Sequence, residues 1–118
     1  MAEGSNGRNI AAWILSVLLA ALFLFTGAMK LGGTEQVASA FGKFGYPLWF
    51  SYIVGLGEVG GALTLLAPKV ATYAAGVLIL IMLGAIVSHL RVGESPALPI
   101  IVLVLLSIVA YLRRPQTA

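Results

Sequence analysis

The sequence predicts an all-α protein, an integral membrane four-helix bundle with a short interfacial helix between spans 1 and 2. Three observations carry that expectation. Of the 118 residues, 60% are hydrophobic and only 9% are charged, against about 45–50% and roughly 25% in an ordinary soluble domain. Four apolar runs follow one another, each near the length that crosses a bilayer. Prolines and aromatic residues gather at the ends of those runs. A chain this short cannot hide so much apolar surface in a water-facing globule, because small domains leave a large share of their surface exposed. A soluble enzyme and a disordered tail are therefore excluded. Seven Lys/Arg outnumber four Asp/Glu by three, yet the bases form no stripe that could track phosphates, so nucleic acid is excluded as a partner. With no cysteine, disulfides, thiol relays and Cys-ligated metals are excluded too.

The chain reads as one membrane domain over 1–118, with a polar, solvated tail at 1–9 and spans at about 10–30, 48–67, 70–90 and 97–112. Ile10 to Met29 carries no charge over twenty residues, about 30 Å of helix. Arg8 precedes this run, as in a signal peptide, but the run exceeds a typical h-region of about 7–15 residues, so a retained helix is expected. Gly32-Gly33 ends it. Thr34 can then cap a short helix with Glu35 in its first turn. Val37, Ala40, Phe41 and Phe44 fall on one face of that helix, which suits a membrane surface; an irregular loop is the alternative. The second span contains one acid, Glu58, and closes at Pro68. The third ends near His89. The polar turn Gly93-Glu94-Ser95-Pro96 leads to the fourth, which Arg113-Arg114-Pro115 ends. Pro47, Pro68, Pro96, Pro99 and Pro115 all sit where a missing N–H costs least. Trp13, Trp49, Tyr52, Tyr73 and Tyr111 mark the same boundaries, as an interfacial belt does. Alternating spans put Arg8, Lys69, Arg113 and Arg114 on one side and Lys30, Lys43 and Arg91 on the other. That weak excess favours both termini in the cytoplasm.

Glu58 is the most informative residue. An acid near mid-bilayer costs about 2.5–3.5 kcal/mol on insertion scales, so it should face the bundle interior and find a partner. It is either a ligand or proton site, or a structural acid that pins helix register. Gly55, Gly61 and Ala62 lie one turn away, and Gly57 with Gly61 makes a GxxxG spacing, so this face should pack closely on a neighbour. Gly76 and Gly84 are the corresponding small residues of the third span. The run Gly55-Leu56-Gly57-Glu58-Val59-Gly60 matches GxGxxG. It lies inside an apolar helix without the strand–helix context of a dinucleotide site, so these glycines read as packing residues.

Lys30 either snorkels to the interface or pairs with Glu58. Counting from Leu48, Glu58 lies about 15 Å down its helix, whereas Lys30 belongs near the rim. Thr26, one turn deeper on the Lys30 face, is the other candidate partner. His89 is either a solvated helix-end cation or a proton acceptor and ligand donor. Ser88 and Thr64 read as back-bonded hydroxyls. One His, no Cys and one buried acid leave no protein-only metal site. Thr26, Lys30, Glu58, Ser88 and His89 can converge on one half of the bundle. Apolar walls with a few convergent polar groups make a small-ligand pocket, and an amphipathic, lipid-soluble molecule such as a quinone, an isoprenoid or a sterol-like lipid would suit it.

Several motifs, in this order, carry a family resemblance: Phe-Thr-Gly-Ala-Met-Lys-Leu closing the first span, Phe44-Gly45-Tyr46-Pro47 in the loop, Gly57-Glu58-Val59-Gly60-Gly61-Ala62-Leu63 in the second span, and Met82-Leu83-Gly84-Ala85 before His89. From about Ile14 to Leu112 the chain resembles the DoxX-like proteins, small four-span membrane proteins of bacteria. The resemblance implies a bundle in the bacterial cytoplasmic (inner) membrane, with Lys30 and Glu58 at the most characteristic positions. It also implies a subunit role, since named members of the wider family belong to a thiosulfate:quinone oxidoreductase and others to membrane redox or oxidative-stress assemblies. Fold transfers by such analogy better than function.

Three functions are compatible with these residues. The first is an accessory or lipid/quinone-binding subunit without catalytic activity of its own, part of a membrane complex or homo-oligomer, docking a partner on a groove lined by Gly76, Gly84 and Ala85. The second is a small proton-coupled cation exporter working as a dimer through Glu58. Against it, such exporters carry their essential acid in the first span. The third is a lipid-modifying enzyme using Glu58 and His89 as acid and base, although their expected depths differ by roughly half a bilayer.

Overall fold

The computed structural model describes residues 2–115, with side chains described from Gly7 onward. These residues form five helices and no strand: α1 (Ala2–Leu31), α2 (Glu35–Lys43), α3 (Leu48–Leu65), α4 (Ala71–Arg91) and α5 (Ala97–Leu112). Stretches in α1, α3 and α4 are long and apolar enough to cross a membrane, and α5 is a shorter apolar helix of 16 residues. The molecule measures 49 × 26 × 21 Å, so its long axis matches a bilayer with its headgroups, about 40–45 Å.

α1 does not start where the polar tail was expected to end. The helix already runs from Ala2, and only Met1 of that tail lies outside the described residues. The segment has no proline, and a helix already nucleated in its apolar part adds each further residue at little cost. The extension carries Arg8 and Asn9 to the end of α5: Arg8 Nε donates to the Leu112 carbonyl at 3.2 Å and Arg113 Nη1 to Asn9 Oδ1 at 2.7 Å.

α1, α3, α4 and α5 alternate in direction and close a ring. α1 packs on α3, α3 on α4, α4 on α5 and α5 on α1, with the α1–α3 and α4–α5 pairs in the most extensive contact. The core holds Leu19, Phe23, Leu65, Leu78, Leu106 and Val109. Only about a third of each long span is buried inside the bundle. The outward positions are apolar as well: Phe25, Leu80 and Leu98 are 66%, 69% and 68% exposed. A helix that is apolar all round belongs in lipid, which identifies these faces as the lipid-contacting surface.

α2 starts as its sequence predicts. The Thr34 hydroxyl accepts from Val37 N at 3.2 Å, and Glu35 occupies the first turn. Gly33 precedes the cap at φ 60° and Gly45 follows the helix at φ 85°, a left-handed conformation that glycine adopts at no steric cost. A Cβ on Gly33 would also lie 2.6 Å from the Tyr52 hydroxyl. α2 lies against α3, with Val37 buried.

The glycines divide by face. A Cβ on Gly55 would meet the Gly27 carbonyl at 2.8 Å, one on Gly61 would meet Leu78 at 2.8 Å, and one on Gly57 would meet Ile81 at 3.2 Å. Ala62 is fully buried. Gly76 and Gly84, expected to pack as well, have open space where a Cβ would stand. Among the described residues no neighbouring helix packs against either position, which the spacing of small residues does not encode. Gly76→Ala is therefore expected to stabilise the bundle by about 0.5–1 kcal/mol through helix propensity, measurable as a higher unfolding midpoint in detergent.

Candidate functional site

The site begins where α1 and α3 come closest. Gly27 and Gly55 let the two backbones approach, and the Ser51 hydroxyl donates to the Lys30 carbonyl at 3.2 Å. One helical turn apart on α1, Thr26 and Lys30 both reach Glu58. Thr26 Oγ1 donates to Oε1 at 2.8 Å and Lys30 Nζ donates to the same oxygen at 3.1 Å. The Glu58 side chain is 2% exposed and that of Lys30 is 23% exposed.

Residue counting set these two groups at different depths, but α3 does begin at Leu48 and the groups still touch. The reason is side-chain direction. Helical side chains lean toward the N-terminus of their own helix. On antiparallel α1 and α3 this tips Lys30 inward and Glu58 outward, so their heads meet between the levels of their Cα atoms. The four-carbon lysine stem supplies the remaining reach.

Beyond this pair lies a cavity of about 740 Å³ between α2, α3 and α4, within the 300–1,000 Å³ typical of ligand pockets. Phe41, Phe50, Val54, Ile81 and Met82 form apolar wall, and Lys30 and Glu58 line its buried part. Ile53 and Leu80 line it too and are 54% and 69% exposed on the lipid-facing surface, so the cavity opens sideways toward lipid. Gly57 and Gly84 widen that opening. Glu58 Oε2 accepts no hydrogen bond from the described residues. A bound molecule can donate to it.

The opposite rim is polar. The Tyr46 hydroxyl and Ser88 Oγ are 2.8 Å apart, Arg91 Nη1 donates to the Tyr46 hydroxyl at 3.2 Å, and Ser88 is back-bonded to the Gly84 carbonyl at 2.8 Å. His89 is not simply solvated. Its Nδ1 lies 3.0 Å from Glu94 Oε1 and the Phe44 ring meets it edge-on at 5.3 Å. Glu94 also pairs with Lys43 at the end of α2. Thr26, Lys30, Glu58, Ser88 and His89 thus surround one volume, with Thr26 behind Glu58 rather than in the wall. Glu58 and His89, expected half a bilayer apart, border the same cavity.

The Lys43 hydrogen bond holds the Glu94 carboxyl below its usual 4.5; desolvation opposes it, and the Lys43 charge and, to a smaller extent, His89 add to the lowering. The folded protein therefore binds this proton less tightly than the unfolded chain. The Glu94 link contributes stability above pH 4.5 and loses it as pH falls through the lowered value. Amide protection in α2 is expected to drop in that acidic window, and Glu94→Gln is expected to lack the step. Hydrogen exchange followed across pH reads both.

Sequence reasoning missed Gly27, Ser51, Tyr46, Lys43 and Glu94. Gly27 stands three residues before Lys30, on the face that turned out to matter. Glu94 is one of only four acids in the chain. The loop residues had no periodicity to place them.

The model of the DoxX-like family matches residues 14–111. The uncharacterized protein YdgD of Bacillus subtilis (strain 168) is 33% identical over 81 residues, covering 65% of this chain and 71% of that protein. No solved structure matches the chain. The family match runs from α1 through α5 and takes in the Thr26–Lys30–Glu58 contact and the whole cavity wall, and the chain belongs to the DoxX-like family of membrane proteins.

Proposed function

We propose that this membrane protein binds one amphipathic, lipid-soluble molecule, of quinone or isoprenoid type, in the cavity between α2, α3 and α4. The observation that supports this reading is the cavity itself, about 740 Å³ with apolar walls, open toward lipid and ending on the Lys30–Glu58 pair. An apolar tail enters from the lipid side. A carbonyl or hydroxyl head then exchanges hydrogen bonds with Lys30 Nζ and Glu58 Oε2, which are stronger for being charge-assisted.

In this reading the chain is an accessory subunit without catalytic activity of its own, working beside a membrane oxidoreductase or as a homo-oligomer. It sits in the bacterial cytoplasmic membrane with both termini on the cytoplasmic side, in line with Arg8, Lys69, Arg113 and Arg114 facing one way and Lys30, Lys43 and Arg91 the other.

The test is to purify the full chain from its membrane and identify bound lipids and co-purifying subunits by mass spectrometry. One amphipathic molecule per chain is expected. Ala85→Trp, which fills the cavity from α4, should remove it while leaving the helical content unchanged. Glu58→Gln should weaken it about tenfold, the effect of losing one charge-assisted bond. Undiminished retention in Ala85→Trp would overturn the proposal.

A further inference from the structure

At the end of the bundle away from the cavity, two arginines stand on adjoining helix ends, bound to neighbouring residues and, among the described residues, to no acid. Arg8 lies near the start of α1 and Arg113 caps α5. They stand about 33 Å along α1 from Lys30, at 1.5 Å per residue. Each guanidinium makes a neutral contact: Arg8 Nε with the Leu112 carbonyl, Arg113 Nη1 with Asn9 Oδ1. Three further nitrogens of the two forks are unsatisfied. Arg8 Nη2, Arg113 Nε and Arg113 Nη2 are enclosed by the protein and have no acceptor. Among the described residues neither arginine has an ion-pair partner. Glu3, the nearest acid in sequence, precedes the side chains described.

Enclosed donors of a charged group are costly when left unpaired. Here three occur together, and burial pushes the Arg113 guanidinium below its ordinary value. The surroundings place them at headgroup depth. The Arg113 guanidinium lies 5.0 Å above the Trp13 ring and that of Arg114 lies 4.0 Å above Tyr111, and Trp and Tyr at span ends mark the membrane–water interface. Both Arg8 and Arg113 are partly exposed, so an ion can approach from that layer and long side chains can turn toward it.

We propose that Arg8 and Arg113 form a binding site for a phosphate-bearing anion, supplied by a phospholipid headgroup or by free phosphate. A phosphate offers several acceptor oxygens to two planar forks at once, the geometry to which guanidinium is best matched. It also supplies the countercharge that the carbonyl and amide contacts do not.

The full-length protein in neutral detergent is titrated with phosphatidylglycerol, phosphatidylcholine and inorganic phosphate. Native mass spectrometry counts bound lipid. Phosphatidylglycerol is expected to be held at least about tenfold more tightly than phosphatidylcholine, as for one charge-assisted hydrogen bond or more. Arg8→Gln with Arg113→Gln should abolish the preference. Lys69→Gln, which removes a base from the neighbouring turn at the same end, should retain it. Displacement of phosphatidylglycerol by inorganic phosphate assigns the site to free anions as well as headgroups; resistance to displacement assigns it to the headgroup. Equal retention of the two lipids by the unmodified protein overturns the proposal, and that comparison needs no variant to fold. Loss of preference in Lys69→Gln as large as in the double variant overturns it too, because diffuse surface charge is then the cause.

Discussion

Replacing Lys30 by Met is expected to cost the folded protein about 3 kcal/mol, the low end of the range for breaking a buried ion pair. The carboxylate of Glu58, 2% exposed, would keep only the Thr26 hydroxyl as donor. The reverse change is expected to be milder. In Glu58→Leu the remaining ammonium belongs to a lysine already 23% exposed, which can snorkel toward the interface, so about 1 kcal/mol is expected. The double change Lys30→Met with Glu58→Leu should return to within about 1 kcal/mol of the parent, since an apolar pair of similar volume often replaces an ionic one without loss. Unfolding free energies in mixed micelles, taken around this cycle, give the coupling directly. If both single changes cost the same and add, the two charges do not act as a pair.

A larger group at Gly27 should do comparable damage by a different route. A Cβ there would lie 2.8 Å from Val59 Cγ2, 2.9 Å from the Gly55 carbonyl and 3.0 Å from Val59 N. Two of those three atoms are backbone and cannot turn aside. Gly27→Val must therefore push α1 from α3, which adds separation of Lys30 from Glu58 to the usual overpacking cost of about 1–3 kcal/mol. A loss of about 3 kcal/mol or more is expected. Gly61→Ala provides the contrast. Its Cβ would lie 2.8 Å from Leu78 Cγ and Cδ2, side-chain atoms that can shift by repacking where a backbone cannot, so about 1–2 kcal/mol is expected, the lower end of the overpacking range. Comparable unfolding midpoints for Gly27→Val and Gly61→Ala would show that the α1–α3 contact yields more readily than its backbone geometry implies.

Much of the architecture was legible in the residues. Prolines at the run ends, aromatic residues beside them and long uncharged stretches describe helices directly, because each acts within a few residues of its own position. Thr34 and Glu35 describe the start of α2 for the same reason. The start of α1 was less legible, since Gly4, Ser5 and Asn6 read as loop residues although nothing in that segment stops a helix already formed.

The site was legible only as a set of candidates. Thr26, Lys30 and Glu58 could be named as polar residues that a bilayer does not tolerate unpaired. Their meeting depended on antiparallel helices tipping two side chains toward each other, a property of the pair and of neither helix alone. Gly27 carries no signal of its own, because one glycine in an apolar run acquires meaning only when Gly55 stands opposite. Gly76 and Gly84 show the converse, small residues at suggestive positions with no neighbour to approach. The sequence by itself determined that this chain lies in a membrane as helices, since hydropathy and backbone preferences are local. Which faces touch, and so where the cavity and its charges sit, was decided by tertiary packing, because that depends on the relative rotation and height of helices far apart in the chain.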